Sequence, residues 1–464
     1  MEKSGIIKRR ETVWQMKGKS MLYIKNGTII DPVKDELYKA DIRIEEEKIS
    51  EIIPKAEDSG AERGEKPVGA MEAELLPEAQ VIDAEGLLIA PGLADTHVHF
   101  RDPGFTYKED IFTGAAAAAR GGFTQIVLMA NTKPPVDNVD VLAYVLDKGK
   151  QTGIHISSCA NVSMQMAGKE LTPMEELCEC GAAGFTDDGI PLMDEALVKE
   201  AMEKAKSLGK PISFHEENPS LISNNGINAG KAAKFYQIGG SPREAEIDLV
   251  KRDLELAAQT GAEVVIQHIS AKETVELLRE AKRQGAHVHG EATPHHFTLT
   301  EDAVIQKGAL AKMNPPLREE EDRLAIIEGL RDGTIDLIAT DHAPHSREEK
   351  EKHVTEAPSG IIGLETALSL GIRELILKGY LTWPQLIRAM STAPCRLYGL
   401  KGGRIEEGAA ADLVLFHPEE SWVVSETGFA SKSANSPFIG EEMPGVVYCT
   451  VCDGKVVYRK EQQS

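Results

Sequence analysis

The sequence predicts an α/β protein: a (β/α)₈ barrel of the TIM-like kind, with a small β-sandwich domain formed by the two ends of the chain. Three observations predict this architecture. Short β-rich runs alternate with helical stretches eight times through the middle of the chain. The helical stretches place apolar residues at i, i+3 and i+4, which is the spacing of one buried helix face. Both ends of the chain instead alternate apolar and polar residues, as half-buried strands do.

The β-rich runs define the barrel, because strands that alternate with helices pair in parallel, and eight such strands close into a barrel. We expect the runs to end at Phe100, Thr132, Asn161, Gly189, Asn218, Ser270, His296 and His345. Residues 193–209 and 241–261 are the plainest of the intervening helices. The chemistry of such barrels lies at the carboxyl ends of their strands, so candidate site residues are sought there.

The sequence divides the chain into four predicted segments. Residues 1–20 are polar and basic without a period, so we expect a poorly ordered extension. Residues 21–90 are predicted as the first part of the β-sandwich, with a charged, mobile loop over 55–78. The barrel is predicted over 91–398 and the second part of the sandwich over 399–464. Both parts can share one domain, because chain termini often lie close together.

Composition narrows the class of protein. The chain has 464 residues, 41% of them apolar, and a formal net charge of −22. Because duplex nucleic acids are bound by dense cationic surfaces, this charge argues against a nucleic-acid partner. No run approaches the roughly 20 apolar residues of a membrane span, and no secretory signal is visible. Six scattered cysteines are typical of a reducing compartment, so we expect a cytoplasmic protein.

Two of the cysteines, Cys449 and Cys452, form a lone CxxC pattern within an alternating stretch. On a strand, residues three apart point to opposite faces of the sheet. A zinc site made by this pair is therefore the weaker interpretation, and two half-buried strand cysteines are the stronger one.

The histidines at the predicted strand ends indicate a metal site. His97 and His99 lie two apart on one strand, so their side chains face the same side. Alone, such a pair is more often structural than metal-binding. Later runs, however, end in further ligand-type residues, and the barrel would bring them to the same mouth: Asp188, His215, His268 and Asp341.

Imidazole nitrogens and carboxylate oxygens suit Zn²⁺, and also Mn²⁺, Co²⁺ or Fe²⁺. Six ligands are too many for one tetrahedral zinc ion with an open position. They suit two ions that share a bridging carboxylate and a bridging hydroxide. Such a pair activates water for attack on an amide or ester carbon.

Two stretches carry a resemblance to a known family. DTHVHFRDPG (residues 95–104) and ATDHAPHSREEK (339–350) closely resemble the two signature stretches of dihydroorotases in the amidohydrolase superfamily. Blocks such as MANTKPPVDN, GFTDDGIP and EATPHHFTLT look like the same family's intervening blocks, in the same order. The resemblance runs from about Met21 to Lys460, and it implies the same fold and a metal-dependent cyclic amidohydrolase.

The resemblance implies a role for each metal-ligand candidate. His97 and His99 match the pair that binds the first metal, and His215 and His268 match the ligands of the second. Asp188 matches the bridging ligand of the bacterial type I branch, where other branches use a carboxylated lysine. Asp341 matches a ligand of the first metal that also carries the proton, which makes it the catalytic residue. The expected cofactors are thus two divalent ions, with Zn²⁺ the first candidate.

The resemblance also implies substrate contacts. The residues that match substrate-holding positions are Arg101, Asn131, Asn314 and His345. Ser359 and Gly360 match a flexible segment that touches the substrate ring through its backbone. Many relatives have Phe where this chain has Ser359, so a backbone contact could survive there but an aromatic contact could not.

The implied reaction is the reversible hydrolysis of (S)-dihydroorotate to N-carbamoyl-L-aspartate, a step of de novo pyrimidine (UMP) biosynthesis. The bridging hydroxide would attack the ring carbonyl, and Asp341 would pass its proton to the departing nitrogen. Arg101 offers a planar, two-pronged donor for the substrate carboxylate. The family further suggests a homodimer and an association with aspartate carbamoyltransferase.

Two alternatives stay open at this point. An allantoinase or dihydropyrimidinase would share the paired histidines, but it would usually bridge its metals through a lysine and needs no carboxylate-binding arginine. A catalytically dead homologue kept as a scaffold should have lost ligands. Among neighbouring residues, Asp187 and His342 should face away from the site, whereas Glu216 and Glu217 could orient His215 or merely carry solvated charge.

Overall fold

The computed structural model describes residues 21–55 and 80–461 of the chain. The predicted extension over 1–20 lies outside the described residues, as does the predicted loop over 55–78 apart from Lys55. Across these two described ranges, no helix is long and apolar enough to cross a membrane.

In the described residues, sixteen strands form three sheets. In chain order they are β1 (Met21–Asp31), β2 (Glu36–Glu45), β3 (Lys48–Pro54), β4 (Gln80–Asp83), β5 (Leu88–Pro91), β6 (Leu93–Val98), β7 (Phe123–Leu128), β8 (His155–Ser158), β9 (Phe185–Thr186), β10 (Ile212–Phe214), β11 (Val264–Ile266), β12 (Val288–Ala292), β13 (Leu337–Ile338), β14 (Leu413–Val423), β15 (Glu442–Cys452) and β16 (Lys455–Arg459).

The α-helices of the described ranges are α1 (Ile111–Arg120), α2 (Val139–Gly149), α3 (Met174–Cys180), α4 (Glu195–Ser207), α5 (Lys231–Tyr236), α6 (Arg243–Thr260), α7 (Lys272–Arg283), α8 (Pro294–Thr298), α9 (Asp302–Lys307), α10 (Glu320–Asp332), α11 (Arg347–Lys350), α12 (Ala367–Gly371), α13 (Trp383–Ile387) and α14 (Ala393–Tyr398). π-Helical turns over Ile372–Ile376 and Arg388–Thr392 continue α12 and α13.

Strands β6 to β13 form the barrel. β6, β7 and β8 pair in parallel, as do β9 to β13 in sequence order. Two parallel bridges close the ring, one from Ala160 to Phe185 and the other from Val98 to His342. The predicted (β/α)₈ barrel is therefore confirmed, with a helix or helices after each strand to cover its outer face.

The strands end earlier than the β-rich runs in the sequence. β6 ends at Val98 rather than Phe100, and β13 ends at Ile338 rather than His345. The residues that follow leave the strand conformation, and three non-glycine residues there have left-handed backbone: Arg101 (φ 59°), His268 (φ 30°) and Asp341 (φ 49°). Such conformations are costly for side chains with a Cβ and cluster at functional sites.

Helix α1 fixes the chain that follows β6. It begins with a capping box, in which Asp110 accepts from the backbone of Thr113 and the Thr113 side chain accepts from the backbone of Asp110. Its Gly114 lies so close to the Phe100 ring that a Cβ there would stand 2.3 Å from it. The alanine-rich helix can therefore pack tightly against the end of β6 and the residues after it, where His97, His99 and Arg101 lie.

The two ends of the chain share one mixed sheet of eight strands, in the order β16-β15-β14-β5-β1-β2-β3, with β4 beside β1. β14 runs antiparallel to β5 and pairs Leu413 with Pro91 and Phe416 with Leu88. This sheet has an apolar core of its own, which includes Ile24, Ile42 and Val451. The predicted α/β fold class, a barrel with a small β-sandwich domain from both chain ends, is confirmed.

Candidate active site

The barrel brings all six predicted metal-ligand residues to one mouth. Two groups of three residues have ligand atoms within 4.8 Å of one another: His97, His99 and Asp188, and Asp188, His215 and His268. The sixth, Asp341, places Oδ1 3.0 Å from His99 Nε2 and 3.6 Å from His97 Nε2. All six side chains are buried.

Asp188 belongs to both groups and lies between the two histidine pairs. Its Oδ1 is 3.4 Å from His97 Nε2 and its Oδ2 is 3.5 Å from His99 Nε2. Oδ1 also lies 3.7 Å from His215 Nδ1 and 3.8 Å from His268 Nε2. These distances exceed those of ordinary N–H···O hydrogen bonds. They are instead the separations expected of ligand atoms that surround a common ion.

The rings of His97 and His99 are oriented by acceptors behind them. His97 Nδ1 lies 2.8 Å from Glu291 Oε1, and His99 Nδ1 lies 3.0 Å from Asn131 Oδ1. Each Nδ1–H donates to its oxygen, and this orients the two Nε2 atoms toward Asp188 and Asp341. Within the described part of the chain, the buried Nε2 of His97 has no hydrogen-bond partner.

Glu291 was missed by sequence reasoning. It lies in β12 one residue before the end of the strand, is buried, and also accepts from the backbone N–H of His268 at 3.2 Å. One carboxylate thus supports a member of each histidine pair. Its signal in the sequence was weak, because a single glutamate in a β-rich run carries no spacing that identifies it.

The electrostatics of the site agree with a bound cation. Although burial opposes the imidazolium, Glu291, Asp188 and Asp341 raise the pKa of His97 well above its usual range. The pKa of His215 likewise rises to about 9 through Asp188 and Glu217, against burial. Metal ligands must be neutral imidazoles, so binding of an ion would displace protons from these rings.

The donor set and its geometry therefore fit divalent transition-metal ions. The ligand atoms are nitrogen and oxygen, they are buried, and their orienting partners are in place. His215 Nδ1 and His268 Nε2 lie 2.9 Å apart, so without an ion the two rings must share a proton. Asp188 is common to the two groups of ligand atoms, so one carboxylate faces both histidine pairs.

A cavity of about 150 Å³ opens above these ligands and is also lined by Arg101, Asn314, Ser359 and Gly360. Arg101 Nε donates to Pro344 O at 3.3 Å, which holds the guanidinium at the rim. Asn314 Nδ2 lies 3.1 Å from His215 Nε2, while its Oδ1 has no hydrogen-bond partner among the described residues. A small ring with polar edges fits such a cavity.

His345 lies behind Arg101 rather than in the cavity wall. Its Nε2 is 2.9 Å from Ser359 O, and Lys108 Nζ is 3.3 Å from its Nδ1. Burial together with Arg101 and Lys108 lowers the pKa of His345 to about 2. His345 is therefore neutral, with Lys108 donating to Nδ1 and Nε2–H donating to Ser359. The positive charge of this pocket comes from the arginine and lysines.

Asn131 is engaged with the metal-ligand residues. Its Nδ2 donates to Asp188 Oδ2 at 3.0 Å, and its Oδ1 accepts from His99. In this conformation the Asn131 amide orients His99 and Asp188. Its substrate contact stays a prediction, as do those of Arg101 and Asn314.

Two buried lysines hold the segment that contains Ser359, and sequence reasoning missed this role. Lys350 Nζ donates to Pro358 O and Gly360 O, each at 2.9 Å. Lys312 Nζ donates to Ala357 O at 2.8 Å. Burial and Lys312 lower the pKa of Lys350 to about 7. Lys350 ends the second signature stretch, which was the signal available in the sequence.

The acidic residues next to the ligands in sequence make different contacts. Asp187 faces away from the ligands, as predicted, and accepts from the backbone N–H groups of Val162 and Ser163 at 2.9 and 3.1 Å. Glu217 Oε2 lies 3.4 Å from His215 Nε2 and helps to raise the pKa of that ring. Glu216 instead interacts electrostatically with Asp253 and Arg252.

Comparisons with known proteins define the class to which the chain belongs. The chain matches the model of the amidohydrolase family over residues 88–457. Its structure resembles L-hydantoinase (dihydropyrimidinase) from Arthrobacter aurescens, with a TM-score of 0.80, 26% identity, and coverage of 95% of this chain and 96% of that one. D-hydantoinase from Thermus sp. gives a TM-score of 0.76 at 26% identity, covering 94% and 95%. The class is that of metal-dependent cyclic amidohydrolases.

Relatives in sequence are more specific. A dihydroorotase from Clostridioides difficile is 52% identical over 438 residues, which cover 94% of this chain and all of that protein. A dihydroorotase from Clostridium acetobutylicum is 48% identical and covers 94% and 99%. The chain therefore belongs to the dihydroorotase family of the amidohydrolases, and the resemblance carried by its two signature stretches is confirmed.

Proposed function

We propose that this chain is a dihydroorotase that interconverts (S)-dihydroorotate and N-carbamoyl-L-aspartate in pyrimidine biosynthesis, with two divalent metal ions at the barrel mouth. The observation that carries the proposal is the position of Asp188, which faces both histidine pairs at 3.4 to 3.8 Å. Full-length similarity to dihydroorotases supports the substrate.

The residues divide between two metal positions. His97, His99 and Asp341 would hold one ion, His215 and His268 would hold the other, and Asp188 would contact both. Bound ions of this kind supply a water of lowered pKa and polarise the carbonyl that it attacks. Zn²⁺ is the first candidate for both positions, because all the donors are imidazole and carboxylate.

Asp341 is the proton carrier. Although burial opposes ionisation, the imidazoles of His97 and His99 hold the pKa of this carboxyl well below its usual range, so it begins as a carboxylate base. In hydrolysis it takes a proton from the attacking water and gives it to the ring nitrogen as the C–N bond breaks. In ring closure the protonated carboxyl begins the reverse sequence.

Arg101 selects for a charged ring. Its guanidinium is oriented by Pro344 O at the cavity rim, and its fork matches a carboxylate. Lys108 adds positive charge on the same side, and His345 adds none. Dihydroorotate carries a carboxylate there, whereas the neutral rings of hydantoinase and dihydropyrimidinase substrates do not.

A metal analysis and three substrate assays on one preparation test the proposal. We expect at least two transition-metal ions per chain, turnover of dihydroorotate, and no comparable turnover of hydantoin or dihydrouracil. Turnover of the neutral rings alone would assign the chain to the hydantoinase type, which its structural neighbours represent. A protein free of metal and inactive on all three would support the scaffold alternative.

We propose further that the enzyme is cytoplasmic, forms a homodimer and associates with aspartate carbamoyltransferase. These statements rest on the family resemblance and on the composition of the chain. Light scattering of the purified protein, alone and with aspartate carbamoyltransferase, measures both associations. A monomer that is unchanged by the added enzyme would contradict them.

A further inference from the structure

A second cluster of metal-ligand atoms lies at the opposite end of the barrel from the active site. His155 is the first residue of β8, Asp412 directly precedes β14, and Cys452 ends β15. One ligand atom from each lies within 4.8 Å of the other two. The cluster therefore joins one barrel strand to two strands of the terminal sheet.

The nitrogen of the cluster faces two carboxylates. His155 Nε2 lies 3.3 Å from Asp412 Oδ2 and 3.5 Å from Asp453 Oδ1. This buried nitrogen lacks an aligned hydrogen bond to any described residue. Asp412 is held firmly, because Gln125 Nε2 donates to its Oδ2 and the Asp453 backbone N–H donates to its Oδ1, both at 2.8 Å.

The sulfur completes the donor set. Cys452 is 2% exposed, and its Sγ approaches Thr124 O only at 3.9 Å, a weak contact. Cys449 packs instead into the separate core of the terminal sheet, so the CxxC pattern does not act as a pair. The expectation of opposite faces holds, and Cys452 meets a histidine and an aspartate from distant parts of the chain.

We propose that His155, Asp412 and Cys452, with Asp453 as fourth ligand, bind one divalent transition-metal ion such as Zn²⁺. Nitrogen, oxygen and sulfur donors at these separations suit tetrahedral zinc. Cys452 binds as the thiolate and releases its proton to solvent, so uptake of the ion releases protons. The ion fastens the barrel to the terminal sheet and takes no part in catalysis.

The ion has a route to the cluster. A cavity of about 520 Å³ at the surface is lined by His155, Cys452 and Asp453. Lysines also line it, among them Lys401. Solvent access of this kind is needed for a metal to load after folding.

A plain ion pair is the competing interpretation. Asp412 and Asp453 raise the pKa of His155 although burial and Lys401 lower it, so a charged imidazole could sit beside Asp412 without metal. Burial raises the pKa of Cys452, so the thiol would then stay protonated. The two interpretations differ in whether the sulfur of Cys452 binds a metal ion.

The absorption spectrum of cobalt-loaded full-length protein distinguishes a metal site from an ion pair. The six ligands at the barrel mouth contain no sulfur, so a thiolate-to-cobalt charge-transfer band in the near ultraviolet would report the second cluster. We expect the band in the wild type and in Cys449→Ser, the matched control. We expect Cys452→Ser to lose the band and to bind one Co²⁺ fewer per chain.

Two results would overturn the proposal: no such band in the cobalt-loaded wild type, or an unchanged band and cobalt content in Cys452→Ser. Should Cys452→Ser fail to fold, His155→Gln keeps the thiol and removes the nitrogen. It should lower the cobalt content by one ion, and an unchanged content would contradict the site.

Discussion

The two ends of the barrel both place histidines beside carboxylates, but in different ways. At the amino end of the strands, His289 Nε2 lies 2.8 Å from Glu263 Oε2 and His287 Nδ1 lies 3.1 Å from Glu263 Oε1, within reach of water. At the carboxyl end, His97 and His99 are nearly inaccessible and stand 3.4 and 3.5 Å from Asp188. His289 and Glu263 are joined by a hydrogen bond, whereas the distances to Asp188 leave space for a cation between the ligand atoms.

The largest effect should come from removing the shared carboxylate at the mouth. Asp188→Asn keeps the shape but removes the charge that faces both histidine pairs. We expect turnover to fall by about three orders of magnitude, with fewer bound ions per chain. Steady-state kinetics and metal analysis measure both. Asp187→Asn is the matched control, because Asp187 bonds backbone N–H groups and should affect stability more than metal content.

Glu291→Gln tests the support behind the histidines. Its carboxylate accepts from His97 and from the backbone of His268, so loss of charge should weaken metal binding or activity by about 10- to 100-fold. Metal titration of the apo-protein measures the affinity. Glu263→Gln at the other end should change neither metal affinity nor turnover, and should cost less than about 1 kcal/mol of stability. Equal effects of the two changes would remove the distinction between the ends.

Arg101→Lys tests the selection of a charged ring. Lysine keeps the positive charge but loses the planar fork, so we expect kcat/KM for dihydroorotate to fall about tenfold to a hundredfold. Most of the change should lie in KM, with the metal content unaltered. Arg347→Lys, an exposed arginine on α11, is the matched control. An unchanged KM in Arg101→Lys would show that this guanidinium does not bind the carboxylate.

The smallest effect should come from the amino end. Asp336 and Glu263 raise the pKa of His289 although burial lowers it, so the folded state binds the proton more tightly than the unfolded state. The resulting stability, about 1 kcal/mol or less, is present below the unfolded pKa of about 6.5 and is lost as pH rises through the folded value. Denaturation of His289→Gln and wild type should differ at pH 6 and converge at alkaline pH. A difference that grows with pH would contradict this sign.

Sequence patterns predicted those parts of the site that depend on local geometry. His97 and His99 share a face because strand residues alternate, and the barrel then brings the later strand ends to the same mouth. The signature stretches identified Asp341 and Arg101 because they are continuous in sequence. The strand boundaries were placed too late, because the polar residues after each strand are buried and resemble its continuation.

Other contacts could not be predicted, because they join residues with no regular spacing. Glu291 meets His97, and Cys452 meets His155, only through the tertiary fold. The side-chain roles of Lys312 and Lys350 depend on where a loop backbone runs. The predicted domain boundaries and substrate contacts stay predictions.

The pairing of β14 with β5 has a consequence for synthesis of the chain. Strand β5 is made before the barrel, and the neighbour that covers its other side is made after it. While the ribosome translates the barrel, Leu88–Pro91 therefore has an open hydrogen-bonding edge beside apolar side chains. The nascent chain must keep that edge from pairing with other polypeptides until Leu413–Phe416 emerges and covers it.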